Sequence, residues 1–115
     1  MLVVDDNADT VESISALLKA WGHQVQTANS GLAAVQAALE HQPDVALLDI
    51  GLPGLNGYQV AKQIPQEPTL ERVVLVAMTG YGQDSDRQSS LQAGFNHHLV
   101  KPARFDQLKQ ILSSV

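Results

Sequence analysis

Short apolar runs alternate with segments of helical periodicity five times along this chain. These candidate strands lie at residues 1–4, 23–28, 45–48, 73–78 and 95–100, of which 23–28 alternates around Val25. Strands that alternate with helices favour a parallel sheet covered by helices on both faces, with right-handed crossovers. The first, third and fourth runs are continuously apolar, as central strands are, whereas the second and fifth contain polar residues, as edge strands do. The pattern therefore predicts an α/β fold with five parallel strands.

Caps and breakers bound the helical segments. The first helix is predicted over 8–21, with Gly22 as its stop. Ser30 is predicted to cap a second helix that carries Leu32, Val35 and Leu39 on one face. The remaining helices are predicted over 58–64, over 84–93 and from residue 105 to the end. The apolar face of 84–93 is thin, so we expect this helix to be the most mobile.

Composition narrows the classes of function. The 115 residues suit one domain over 1–115, and because the chain begins directly on a strand we expect it to have been excised from a longer protein. A net charge of −5 without a basic run disfavours nucleic-acid binding. There is no cysteine, so thiolate metal sites are excluded. No signal-peptide pattern or apolar run of membrane-spanning length occurs, so we expect a cytoplasmic domain without membrane contact.

Polar residues follow the apolar runs at the points where the predicted strands end. Asp5 and Asp6 follow the first run, Asp49 the third, Thr79 the fourth and Lys101 the fifth. In an open parallel sheet the carboxyl ends of the strands line one crevice, where ligands bind. Three carboxylates, a hydroxyl and an ammonium group at one place suit a divalent cation beside a phosphoryl group.

Each of these residues also has a simpler interpretation. Asp5 and Asp6 could cap a helix, Asp49 and Thr79 could be turn residues, and Lys101 could be a surface lysine. However, adjacent carboxylates repel each other, and a bound Mg²⁺ relieves that repulsion through hard oxygen ligands. The coincidence of all five residues at strand ends favours the binding site.

Four strings in this order give the chain a family resemblance: LVVDDN, LLDIGLPGLNGYQVA, VAMTGYG and LVKPA. Together they resemble the receiver domain of two-component response regulators, over essentially the whole chain. The resemblance implies a flavodoxin-like (βα)₅ fold with strand order 2-1-3-4-5. It also implies that Asp49 is a phosphoacceptor, loaded from a histidine kinase or a histidine phosphotransfer domain.

The same resemblance implies a role for each site residue. Asp6 and Asp49 would bind Mg²⁺ directly together with the backbone carbonyl of Gly51, and Asp5 would act through a bound water. Thr79 and Lys101 would contact the phosphoryl oxygens. Movement of Thr79 towards the phosphoryl group would then switch the surface formed by the last strand and its flanking helices.

The chain departs from the family pattern at His98, where receivers usually carry Tyr or Phe just before Leu-Val-Lys-Pro. The resemblance therefore makes His98 a candidate switch residue beside Thr79. Its neighbour His97 cannot easily share a metal with it, since adjacent strand residues point to opposite faces. The string GFNHHLVKP resembles receivers attached to hybrid sensor histidine kinases, which implies a covalently attached kinase or output domain as a further partner.

Two other classes of function remain open. A haloacid-dehalogenase-like phosphatase also forms an aspartyl phosphate, but it would carry an acid two residues after the nucleophile, where this chain has Gly51. A degenerate receiver acting only as a binding module would normally have lost part of the acidic set, the threonine or the lysine, and none is lost. No nucleotide-phosphate loop motif is present. The resemblance thus favours a signalling domain over an enzyme.

Overall fold

Five parallel strands form the sheet of this protein. The structure, a computed structural model, describes residues 1–50, 57–70, 72–79, 94–100 and 105–113. The strands are β1 (Leu2–Val4), β2 (Gln26–Ala28), β3 (Val45–Asp49), β4 (Val74–Thr79) and β5 (His97–Val100). Their order across the sheet is β2-β1-β3-β4-β5, with every pair parallel. This confirms the strand order that the family resemblance implies, with the two more polar strands at the edges.

Helices cover both faces of this sheet. They are α1 (Ala8–Ala20), α2 (Gly31–His41), α3 (Gly57–Gln63) and α4 (Phe105–Ser113). One core cluster joins α1 and α4 to Val3 and Leu47, and the other joins α2 and α3 to Val4 and Leu48. Successive strand residues alternate between the two faces, so each central strand contributes to both cores and must be apolar throughout. Among the described residues, no helix is long and apolar enough to cross a membrane.

The ends of the first helix lie close to their predicted positions. Asn7 caps its start, and its side-chain oxygen accepts hydrogen bonds from the amides of Asp9 and Thr10. The helix ends at Ala20, and Gly22 follows with φ +90°. Glycine adopts this left-handed conformation without a Cβ clash, which explains why the chain turns there.

The second helix shows that an apolar stripe need not be the buried face. Ser30 caps α2 as predicted, accepting a hydrogen bond from the amide of Ala33. Leu32 and Leu39 lie on one face, but 64% and 41% of their surfaces are exposed. The buried face consists of small residues, namely Gly31, Ala34 and Ala38. Small side chains let the helix lie close to the sheet, and of the three residues predicted to share a face only Val35 packs partly against the core.

Several other predicted bounds differ from those of the structure. The second strand was predicted over 23–28, but only Gln26–Ala28 pairs with β1. The strand predicted over 95–100 begins at His97. Helix α3 ends at Gln63 and continues as a 3₁₀ turn, Ile64–Gln66, because Pro65 has no amide to donate. The helix predicted over 84–93, and its expected mobility, lie outside the described residues.

A cation–aromatic contact links α1 and α4 on the face of the sheet opposite α2. The ammonium nitrogen of Lys109 lies 6.0 Å from the centroid of the Trp21 ring. Trp21 follows the last turn of α1 and is half-buried against the core cluster that contains Leu108. The attraction between a cation and an aromatic face adds to the apolar packing of the two helices.

Candidate functional site

Three carboxylates meet at the carboxyl end of the sheet. One oxygen from each of Asp5, Asp6 and Asp49 can be chosen so that all three lie within 4.8 Å of one another. Asp5 and Asp49 are 1% and 8% exposed, whereas Asp6 is exposed to solvent. Among the described residues this is the one group of three or more potential metal ligands. The structure thus brings together the three acids that the sequence predicts to form a site.

The strand register explains why these acids meet. Val4 of β1 lies opposite Leu48 of β3, so that Asp5 and Asp49 follow at the same level of adjacent strands. Asp6 comes next in the loop before α1. Because β1 and β3 are neighbours in a parallel sheet, residues far apart in sequence are fixed side by side by backbone pairing.

Hydrogen bonds fix the Asp5 carboxylate and show that capping is not its role. Oxygen Oδ1 of Asp5 accepts a hydrogen bond from the amide of Asn7 at 2.9 Å, and the amide of Asp5 donates to the carbonyl of Ala28 at 3.2 Å. The cap of α1 is the side chain of Asn7. Sequence analysis missed Asn7, although asparagine directly before a helix is a recognised capping signal. With that cap supplied, the two aspartates are available for another function.

Thr79 ends β4 at the same edge of the sheet. Asp49 lies opposite Met78, so Thr79 extends one residue beyond the acid on the neighbouring strand. Thr79 in turn lies opposite Val100, the residue before Lys101. The backbone therefore supports a common edge for the predicted set. Gly51 and Lys101 lie outside the described residues, and the roles of all these residues stay predictions.

The two histidines of β5 lie on opposite faces of the sheet. His97 pairs with Val76, which belongs to the core beneath α1 and α4, and His98 pairs with Ala77, which belongs to the core beneath α2 and α3. Both imidazoles are half-buried. This arrangement agrees with the argument that the pair cannot easily share one metal ion. His98 directly precedes Leu99 and lies two residues before the end of β5.

The acidic cluster fits a hard divalent cation. Mg²⁺ binds oxygen ligands at about 2.0–2.1 Å, so that oxygens on opposite sides of the ion are about 4.2 Å apart. The upper limit of 4.8 Å among the three carboxylates is close to that span. With two of these acids buried, a cation would offset repulsion that water screens poorly. Asp5, Asp6 and Asp49 are the residues that would hold it.

Comparisons with a family model and with known proteins agree on one family. The family model described as "Response regulator receiver domain" matches residues 1–113. The chain is 31% identical over 115 residues to protein PilH of Pseudomonas aeruginosa, covering all of this chain and 95% of PilH.

Two solved structures extend this likeness to three dimensions. The first is the receiver domain of sensor histidine kinase PA1611 from Pseudomonas aeruginosa, described with a magnesium ion in its active-site cleft. It is 34% identical, with a TM-score of 0.89, over 98% of this chain and 93% of the other. The second is a complex of the Saccharomyces cerevisiae phosphotransfer protein Ypd1 with the receiver domain of the response regulator Ssk1. It is 25% identical, with a TM-score of 0.88, over 97% of this chain and 84% of the other.

Proposed function

Because the chain belongs to the response regulator receiver domain family, we propose that it acts as a phosphoacceptor in two-component signalling, with Asp49 as the acceptor residue. The observation that carries the proposal is the acidic cluster, in which a nearly buried Asp49 lies within 4.8 Å of two other carboxylates. Burial of like charges is costly unless a cation binds there.

The proposed reaction moves a phosphoryl group from a phosphohistidine to Asp49. An oxygen of the Asp49 carboxylate attacks phosphorus in line, the new O–P bond forms, the N–P bond breaks, and the leaving imidazole takes up a proton. Catalysis of this kind depends on positioning and on neutralising the phosphoryl oxygens. A bound Mg²⁺ supplies part of that neutralisation. Lys101 supplies the rest, and Thr79 donates a hydrogen bond to the transferred group.

The donor and the setting of the domain are finer parts of the same proposal. The complex of Ypd1 with the Ssk1 receiver supports a histidine phosphotransfer domain or a histidine kinase as the donor. The likeness to a receiver of a sensor histidine kinase supports attachment to a hybrid kinase or an output domain. A cytoplasmic location stays a prediction of the sequence.

One experiment tests the central step. The chain is incubated with acetyl phosphate and Mg²⁺, and its intact mass is measured. We expect an adduct of about 80 Da on the parent and none on Asp49→Asn, since an amide is not a comparable nucleophile. Asp44→Asn is the matched control, because Asp44 is an exposed acid at the opposite end of β3. It should form the adduct as the parent does.

The outcomes separate the classes of function. A full adduct on Asp49→Asn would contradict the assignment of the acceptor. Absence of any adduct on the parent would favour a receiver that acts only as a binding module. Repeated turnover of a phosphomonoester would favour an aspartate-nucleophile phosphatase, which the presence of Gly51 at the second acid position disfavours.

A further inference from the structure

An open groove runs between α1 and the edge strand β2. Its volume is about 510 Å³, and its walls include Glu12, Ser15 and Lys19 from the helix and Thr27 and Asn29 from the strand side. The helical residues lie three and four positions apart, so they share one side of α1. Pockets of this size accommodate drug-sized ligands or short peptide segments. The groove is therefore large enough for a specific occupant.

A buried hydroxyl lies in the wall of the groove. Ser15 is 7% exposed, and its Oγ has no hydrogen-bond partner among the described residues. A buried polar group in this condition destabilises the fold relative to one with a hydrogen-bond partner. Ser15 is one of the residues that line the groove. A bound group that exchanges a hydrogen bond with Ser15 would remove this cost.

The edge of the sheet beside the groove carries unused backbone groups. Gln26 donates to the carbonyl of Met1, and the carbonyl of Ala28 accepts from Asp5, so both residues bond towards β1. Thr27, between them, points its amide and carbonyl away from β1. In the described part of the chain these two groups make no hydrogen bond. An exposed strand edge of this kind accepts an additional strand.

Charges are divided along the groove. Glu12 and Asp6 line the end near the carboxyl edge of the sheet, and Lys19 lines the other end. Glu12 and Lys19 are seven residues apart on a helix, or about 10.5 Å. In a strand, side chains at positions i and i+2 share one face and are about 6.6 Å apart, and those at i and i+4 are about 13 Å apart. Long charged side chains at those two positions can therefore reach Glu12 and Lys19.

We propose that this groove binds an extended peptide segment of a partner protein as a sixth strand beside β2. The segment runs antiparallel to β2 and exchanges both backbone hydrogen bonds with Thr27. On its groove-facing side it carries a basic residue near Glu12 and Asp6, a small hydroxyl residue opposite Thr27, and an acidic residue near Lys19. The groove adjoins the proposed phosphoryl-transfer site, because Asp6 belongs to both, and the test below needs neither metal nor phosphoryl donor.

The probe is an acetylated and amidated heptapeptide of sequence Thr-Lys-Val-Ser-Val-Glu-Thr. It is titrated into the ¹⁵N-labelled chain without Mg²⁺, and amide shifts are followed by NMR. We expect saturable shifts centred on Thr27, Ser15 and Lys19. Absence of saturable shifts at millimolar peptide, or shifts confined to another surface, would overturn the proposal.

Two variants separate binding from structure. Ser15→Ala should leave the free energy of unfolding unchanged or raised, since it removes an unsatisfied hydroxyl, but should weaken peptide binding about threefold or more. Lys19→Glu should weaken binding by a similar or larger factor, and a peptide with Lys in place of its Glu should restore it.

Lys62→Glu is the matched control. Lys62 is an exposed lysine on α3, which lies on the opposite face of the sheet. It makes the same change in net charge, and we expect it to leave the affinity near that of the parent. An equal loss of peptide affinity in Lys19→Glu and Lys62→Glu would show that the groove does not recognise the peptide's charges. Failure of the charge-exchanged peptide to restore affinity would show the same.

Discussion

Ionisable residues are buried to different extents at the two ends of the sheet. At the carboxyl end, Asp5 and Asp49 are nearly buried and share a cluster with Asp6. At the amino end, His23, His41 and Asp44 line a polar cleft but are all exposed. Both ends are formed by loops of the same parallel sheet, so the fold alone does not dictate the difference.

The difference identifies where charge has a function. An exposed acid keeps its hydration and costs little, whereas buried like charges repel in a medium that screens them poorly. The amino end can therefore vary in charge with little effect on stability. The carboxyl end brings three carboxylates together, as expected if a cation and a phosphoryl group bind there. Four measurements test this contrast, and they run from the largest expected effect to the smallest.

Metal affinity should separate the two ends most strongly. Loss of an outer-shell partner typically weakens metal binding about 10–100-fold. Asp6→Ala removes a direct ligand, so it should weaken Mg²⁺ binding by more than this range. Asp5→Ala should weaken binding within that range, and Asp44→Ala should not change it. Affinity should also fall with pH, because protons compete for the carboxylates. Isothermal titration calorimetry measures these affinities. Equal affinities in all three variants and the parent would contradict the predicted difference between the two ends of the sheet.

Stability without metal should show the repulsion directly. Asp49→Asn removes one of three clustered charges, so we expect the free energy of unfolding to rise by about 1–3 kcal/mol. Asp44→Asn should change it by less than about 0.5 kcal/mol. Urea denaturation with and without Mg²⁺ measures both, and Mg²⁺ should stabilise the parent more than Asp49→Asn. A destabilised Asp49→Asn in metal-free buffer would argue against repulsion in the cluster.

Two helix caps at the carboxyl end provide a finer comparison. Asn7→Ala and Ser30→Ala should each lower the free energy of unfolding by about 1 kcal/mol, since each removes a capping oxygen. Asn7→Ala keeps the backbone amide that donates to Asp5 but loses the side-chain cap that holds this turn in place, so it should also weaken Mg²⁺ binding. Ser30→Ala lacks any such link and serves as the control. If both variants change Mg²⁺ affinity equally, the orientation of Asp5 does not depend on the cap of α1.

The smallest expected effect concerns His98, at the carboxyl end but outside the acidic cluster. An ordinary imidazole titrates near pH ~6.5, and a charged ring resists burial. We expect the phosphorylated conformation to be harder to reach at acidic pH, and His98→Tyr to reduce that dependence. NMR of the beryllofluoride-bound chain at saturating Mg²⁺ measures the change. Identical pH responses in parent and variant would exclude His98 as the sensor.

Local signals predicted the parallel α/β fold and the acidic cluster, whereas the strand order was implied by the family resemblance. Continuous apolar runs identify central strands, and acids directly after them reach the crevice wherever the sheet is parallel. The exposure of Leu32 and Leu39 could not be predicted, because periodicity reports a shared face and not which face is buried. The open groove could not be predicted, since it depends on how far α1 lies from β2. Asn7 could have been recognised from capping preference alone.

The contact between Lys109 and Trp21 has a spectroscopic consequence. Trp21 is the only tryptophan in the chain, so the intrinsic fluorescence has a single source. It lies after the C-terminal end of α1, whereas the acidic cluster lies before the helix's first turn. The 13 residues between correspond to about 20 Å of helix. A change in emission on metal binding would therefore report movement carried to the α1–α4 contact, and an unchanged signal would mean that the response remains near the site.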